Sequence, residues 1–349
     1  MRSSYCKEDV IILLKDITGM VEPQSTEERE RLIQSGKHYC EMLPIEYIPT
    51  EKYMKTYREA LKNYAEPTAR AVGILADKII QRKGKAVVLV SLARAGIPIG
   101  ILIKRYIKWK YQIEVMHYSI SIIRGKGIDE NAVNYILKHH RGKDILFVDG
   151  WIGKGAILKE LEKDVAAFGQ ISPELAVIAD PANITDLCGT HEDILIPSSC
   201  LNSTVSGLVS RTFLRDDIIG KDDFHGAVYY EELKDSDLSY EFIEAIEKEF
   251  KKENHIRESA AEGKGVDEVR KIAKQYEIGD INLVKPGIGE TTRVLLRRVP
   301  WKVLISDKCK DDISLAHIFR LAEEKRVPVE YYPLKHYKTC GIIKKLADA

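Results

Sequence analysis

What the chain lacks narrows it first. In its 349 residues no apolar run approaches the roughly 18 residues that a membrane-spanning helix needs. The N-terminus, MRSSYCKEDVIILLKD, has neither an apolar signal core nor a small-residue cleavage site, so a cytoplasmic protein with no membrane partner is expected. The six cysteines, at 6, 40, 188, 200, 309 and 340, form no C-x-x-C pair, which argues against a zinc ribbon and against a disulfide framework. Neither a P-loop nor a G-x-G-x-x-G dinucleotide fingerprint occurs. Net charge is also nearly absent, at +1, but it is unevenly spread. Residues 281–349 hold 14 Lys+Arg against 8 Asp+Glu, while residues 1–280 hold 40 against 45. A basic C-terminal module on a mildly acidic body points to an anionic partner for that end.

What is present reads as α/β. Residues 1–80 have helical spacing and little sign of strand, with helices over 25–32, 51–62 and 67–82. From Ala86 the texture changes to short, unbroken, β-branched runs, as in strands buried on both faces. These lie at 86–92, 113–123, 145–150, 174–180 and 194–199, separated by helical segments at 98–110, 129–140, 154–168 and 204–214. The alternation predicts a mostly parallel sheet with helices on both faces, preceded by a helical N-terminal part. The boundaries expected are 1–255 for this domain, 256–278 for a charged helical connector, and 279–349 for a small α/β module ending in a helix after Gly341. The charged stretch 244–272 reads as a solvated helix, and no large apolar surface is expected to lock the two modules together.

Two strand-to-helix turns carry chemistry. In the first, Ser91-Leu92-Ala93-Arg94-Ala95-Gly96 precedes a helix opening at Pro98. Gly96 permits close backbone approach, free N–H groups at the helix start attract an anion, and Arg94 adds a fork of donors. In the second, Asp149-Gly150-Trp151-Ile152-Gly153-Lys154-Gly155 leads into a helix from Ala156. Its glycines and lysine form another anion cradle. Asp149, at the strand end, is placed to accept from sugar hydroxyls or to hold Mg²⁺ through water. Between them a glycine-rich loop bears Arg124 and Lys126, suited to closing over a polyanion.

This order of loops resembles the type I phosphoribosyltransferases. Ile145–Gly155 is similar to their phosphoribosyl-pyrophosphate motif and Ser91–Gly96 to their pyrophosphate loop. The whole chain further resembles a bacterial family found with tellurite-resistance (Ter) stress genes. That family joins a phosphoribosyltransferase-like domain to a Pelota-type RNA-binding domain and is also called the cysteine protease StiP family. SLARAGIPIG, HYSISIIRGKGID, FVDGWIGKGAI and SCLNSTVSGLVSRT carry the likeness. It implies a phosphoribosyltransferase that makes or cleaves a nucleoside-like metabolite in a stress response, with phosphoribosyl pyrophosphate and Mg²⁺ in the cleft. Asp149, Arg94, Arg124 and Lys126 would be catalytic. Ser91, Leu92, Ala93, Ala95, Gly96, Gly150, Gly153, Lys154, Gly155 and Ala156 would bind substrate. Two positions depart from the motif: Gly150 replaces the second acid, and Lys154 the usual Thr or Ser.

Two alternatives stand beside the transferase. Cys200 precedes an expected helix over 203–211 and His225 follows, so a thiol with a histidine base would make a cysteine hydrolase. Cys200 equally reads as a small buried hydrophobe, and Asn202, Ser203, Thr204 and Arg211 as pocket-lining or helix-capping residues. The other alternative is a non-catalytic, RNA-associated sensor of a ribosyl phosphate. In the C-terminal module, Lys285–Arg293 resembles the helix entrance of the kink-turn-binding and Pelota families. Gly287 and Glu290 match, and Arg293 replaces the lysine. RNA contacts are expected through Lys285, Arg293, Arg297 and Arg298.

Overall fold

The computed structural model describes residues 1–255 and 262–344; the first six residues of the expected connector lie outside these. A six-stranded sheet forms the centre, in the order Ile11–Ile12, Met116–Ile120, Val88–Leu92, Ile145–Trp151, Leu175–Ala179, Cys188–Thr190. Every pairing in it is parallel. The strand Val88–Leu92 is buried along its whole length, which is why its sequence, VLVSL, is apolar but for Ser91 rather than alternating.

Helices cover both faces. Glu51–Lys83, Gly96–Tyr111 and Ser239–Glu247 pack on one through Val72, Leu75, Ile97, Ile101, Phe242 and Ile246. Glu130–Leu137 and Ala156–Val165 pack on the other through Val133, Ile136, Leu161 and Val165. The two helices expected over 51–62 and 67–82 are one helix of 33 residues, with Pro67 inside it. Its length, about 50 Å, has a consequence. Its second half lies on the sheet, while Tyr57, Ala60 and Tyr64 in its first half share a cluster with Ile288, Leu295, Val303 and Ile318 of the C-terminal module.

The C-terminal module is a four-stranded sheet in the order Val284–Pro286, Thr339–Ile343, Pro300–Ser306, Val329–Tyr332, with helices Ile288–Arg297 and Ala316–Glu324. Gly341 lies inside its buried strand Thr339–Ile343 and not before a helix. The expected solvated connector is instead the amphipathic helix Gly265–Gln275. It buries Val269 and Ile272 in a core that runs from Phe147 of the first sheet to Val284, Leu304 and Ile342 of the second. The modules therefore share apolar core, and the expectation that nothing locks them together is overturned.

Three further readings are corrected. The N-terminal part is not wholly helical: Ile11–Ile12 adds an edge strand to the main sheet. The run 194–199 is no strand; it ends in the short 3₁₀ turn Pro197–Cys200, and Cys188–Thr190 takes the sheet edge. No α-helix forms over 203–214, where only Ser203–Val205 makes a 3₁₀ turn.

Candidate functional site

The first turn brings its loop against the neighbouring strand. A Cβ on Gly96 would lie 2.5 Å from the Val148 carbonyl oxygen, so only glycine permits the approach. The Ala93–Arg94 peptide is cis. Ser91 and Leu92 do not face the cleft. Leu92 is core, and the Ser91 hydroxyl is hydrogen-bonded to His117 Nε2 at 2.7 Å. His117 also meets the Asp9 carbonyl through Nδ1 at 2.8 Å, and full burial pushes it down to about 4, so it is a neutral structural residue. Arg94 turns towards residues 202–209. It donates to Asn202 Oδ1 at 3.0 Å and to the Val209 carbonyl at 3.1 Å, with Glu46 3.9 Å away.

At the second turn Asp149 accepts from the Gly150 N–H at 2.7 Å. Burial pushes it up to about 7, against weaker opposing pulls from that N–H and from Arg293 of the C-terminal module. Gly155 starts the following helix with φ +78°. The lysine and one carbonyl of this loop are held by protein. Lys154 Nζ donates to the Ile281 and Val284 carbonyls at 2.8 and 3.0 Å, and the Gly153 carbonyl accepts from Tyr337 at 2.8 Å. Burial lowers Lys154 to about 8. Lys154 and the Gly153 carbonyl therefore dock the C-terminal module, which corrects the reading of the Lys154 side chain as a charge free to meet phosphate. The basic loop bridges as well, with Arg124 donating to Asn282 at 3.0 Å and Lys126 exposed.

The residues proposed for RNA contact point mostly inward. The helix Ile288–Arg297 begins against Asp193 of the first module, whose carboxylate accepts from the Ile288 N–H at 2.9 Å and the Lys338 N–H at 2.8 Å. Gly287, with φ +95°, presses on the same carboxylate. Lys285 is lowered by burial, and Glu290 pairs with Arg293 at 3.5 Å. Arg293 stacks over Trp151 at 5.9 Å. Arg297 donates to Asn202 Oδ1 at 2.6 Å and to the Cys200 carbonyl at 2.8 Å. Of these residues only Arg298 is exposed. The Asp193 carboxylate caps the first N–H of this helix and places a negative charge at its mouth, where a phosphate would otherwise sit.

The structure does not unite Cys200 and His225. Cys200 is buried in the apolar cluster with Tyr57 and Leu195, and burial pushes its thiol up to about 12. His225 is bonded to Ser121 Oγ at 2.9 Å, and its backbone N–H to Asp129 at 2.6 Å. Ser203 and Thr204 are fully buried.

A thiol–imidazole pair does form elsewhere. His38 Nδ1 lies 2.9 Å from Cys40 Sγ, on the short turn Tyr39–Glu41. Its Nε2 lies 3.1 Å from the Arg124 carbonyl, which can only accept, so the ring proton sits on Nε2 and the Nδ1 lone pair faces sulfur. The Cys40 backbone N–H points at the same Nδ1. Burial raises the thiol above its ordinary range, while Lys126 and Arg211 pull it down. The pair lies under the loop 124–126, whose residues are exposed. The only sequence signal was His-x-Cys, which is uninformative without the loop that orients the ring. Cys188 also meets a histidine, His191, but at 3.4 Å and with its thiol pushed up to about 12.

Residues 3–247 match a family described as tellurite-like stress resistance cysteine protease StiP, and residues 263–345 match the PELOTA RNA binding domain. The cysteine protease StiP of Acinetobacter baylyi is 36% identical, over 98% of this chain and 94% of its own length. Two solved structures of a hypoxanthine-guanine phosphoribosyltransferase from Bacillus anthracis are more distant. One is 22% identical, covering 33% of this chain and 68% of its own, at a TM-score of 0.25. The other, with HEPES bound, is 19% identical, covering 39% and 70%, at 0.22.

Proposed function

The chain belongs to the StiP family and carries a Pelota module, and from that premise we propose that it is a cysteine hydrolase of the peptidase type, with Cys40 as nucleophile and His38 as base. The observation that carries the reading is the orientation of His38: lone pair to sulfur, proton to a backbone carbonyl. Because burial keeps the thiol protonated at rest, His38 acts as a general base rather than as half of a preformed ion pair. Nδ1 takes the thiol proton as sulfur bonds to the peptide carbonyl carbon. The imidazolium then gives that proton to the leaving amine as the C–N bond breaks, and water hydrolyses the thioester. The Arg124 carbonyl holds the ring in place throughout. Cys40 is fully buried, so substrate entry requires the 124–126 loop to lift.

The test is cleavage of an unfolded protein substrate by variants. Cys40→Ala and His38→Ala should each abolish it, and Cys200→Ala should retain it. Loss with Cys200→Ala and retention with Cys40→Ala would overturn the assignment.

Transfer from phosphoribosyl pyrophosphate is the second reading, supported by Asp149 and Arg94 at the strand ends. The residues fit it less well. A single acid stands where two are expected, and the lysine of the loop is bonded to protein carbonyls.

A further inference from the structure

The junction of the modules holds more positive charge than its carboxylates balance. Arg94 and Arg297, one from each module, both donate to the single oxygen Asn202 Oδ1. Arg211 lies close to Arg94; among the described residues it is bonded through the Tyr39 carbonyl, at 3.1 Å, and stacks on the Tyr39 ring at 4.8 Å. Among the described residues neither Arg211 nor Arg297 has a carboxylate within ion-pair distance. The acid facing all this is Glu46, 3.9 Å from Arg94 and also accepting from the Ser203 N–H. Burial lowers Arg211 to about 10 and Arg297 to about 9, in each case with neighbouring arginines adding to the effect.

Several polar atoms of the same residues and their neighbours are left over. Arg297 Nε, Ser203 Oγ, Thr204 Oγ1 and Tyr230 OH are buried with no hydrogen-bond partner. Tyr230 lies within electrostatic reach of Glu46, Arg94 and Arg211. Buried guanidinium groups normally come with carboxylates, and buried donors with acceptors. Unpaired forks next to idle hydroxyls have the complementarity of a tetrahedral dianion.

We propose that Arg94, Arg211 and Arg297, with Asn202, Ser203, Thr204 and Tyr230 around them, form a binding site for a phosphate monoester that is complete only when the C-terminal module is docked. The ligand supplies the negative charge that the junction lacks, and Arg297 makes its binding hold the two modules together. The site uses neither Cys40 nor His38 and stands apart from the hydrolase reading. Tyr39 nonetheless connects Arg211 to the residue next to Cys40, so an occupant would lie beside the proposed nucleophile.

The test is calorimetric titration of the full-length chain with ribose 5-phosphate and, separately, with a phosphoserine peptide and its unphosphorylated twin. At least one phosphorylated probe should bind and raise the melting temperature, and the unphosphorylated peptide should do neither. The better of the two identifies the source of the phosphate, and either result supports the site. Arg297→Gln and Arg211→Gln should each weaken binding tenfold or more, Arg297→Lys less, and Cys40→Ala not at all. The glutamine variants' circular dichroism and melting without ligand report whether they fold. Absence of binding with both probes at about 10 mM, or binding unchanged in folded Arg297→Gln and Arg211→Gln, would overturn the proposal. Loss of peptidase activity without loss of phosphate binding in Cys40→Ala separates the two claims.

Discussion

Removing the Asp193 carboxylate should loosen the C-terminal module. The side chain is buried between the modules and accepts two backbone N–H groups from the far side, those of Ile288 and Lys338. Asp193→Ala leaves both donors buried and unpaired. At about 1–3 kcal/mol each, the loss is on the order of 2–6 kcal/mol, a large part of the stability of a typical domain. Asp193→Asn keeps the volume and one acceptor oxygen but turns an NH₂ group towards one of the donors, so about half the loss is expected. The pH dependence has a definite sign. Burial holds the folded carboxyl at about 6, above its ordinary 3.8. Its contribution is therefore full below about pH 4 and falls as pH rises through 6. The gap between the wild type and Asp193→Asn should narrow from pH 5 to pH 8. Urea unfolding followed by tryptophan fluorescence and by circular dichroism is the assay. The wild type should show one coincident transition, and Asp193→Ala an earlier one, with the two probes separating. An unchanged midpoint in Asp193→Ala would refute the view that this carboxylate joins the modules.

Three other outcomes are expected. Asp149 is held at about 7 by burial, so its ionisation costs stability between about pH 4 and pH 7, and Asp149→Asn should be relatively more stable than wild type at pH 8 than at pH 5 in thermal melts. Gly96→Ala forces a methyl to 2.5 Å from the Val148 carbonyl oxygen and should cost about 1–3 kcal/mol in urea unfolding. Replacing Arg293, Arg297 and Arg298 together should disturb the first module's junction site, measured as lost phosphate binding, and not only any RNA affinity of the C-terminal module.

The sequence reported the core of the fold well because that information is local. Val88–Leu92 and Leu175–Ala179 are apolar but for Ser91, Ile145–Trp151 opens with four apolar residues, and such runs have few other places to go. Edges were harder to read. Ile11–Ile12 is a two-residue strand defined only by its partner Met116–Ile120, and Cys188–Thr190 has no pattern of its own. The glycine loops were recognised as loops, and Gly96 and Gly155 are strained or crowded where glycine is needed. Their occupants were not legible. Lys154 looks the same in sequence whether it meets a phosphate or the Ile281 carbonyl, and Arg297 the same whether it meets RNA or Asn202. Both assignments depend on contacts between residues 95 and 127 positions apart in sequence, made only when the two modules come together. Helix periodicity in Gly265–Gln275 did carry a warning: Val269, Ile272 and Ala273 mark one apolar face, and the surrounding charge concealed it.

The most direct test of the proposed hydrolase is covalent trapping. The wild-type chain, incubated with a peptidyl fluoromethyl ketone and digested, should carry the adduct on Cys40, and His38→Ala should lose it, since the thiol then has no base. A label on Cys200, Cys188 or Cys6 with Cys40 unmodified, or labelling of Cys40 undiminished in His38→Ala, would contradict the account.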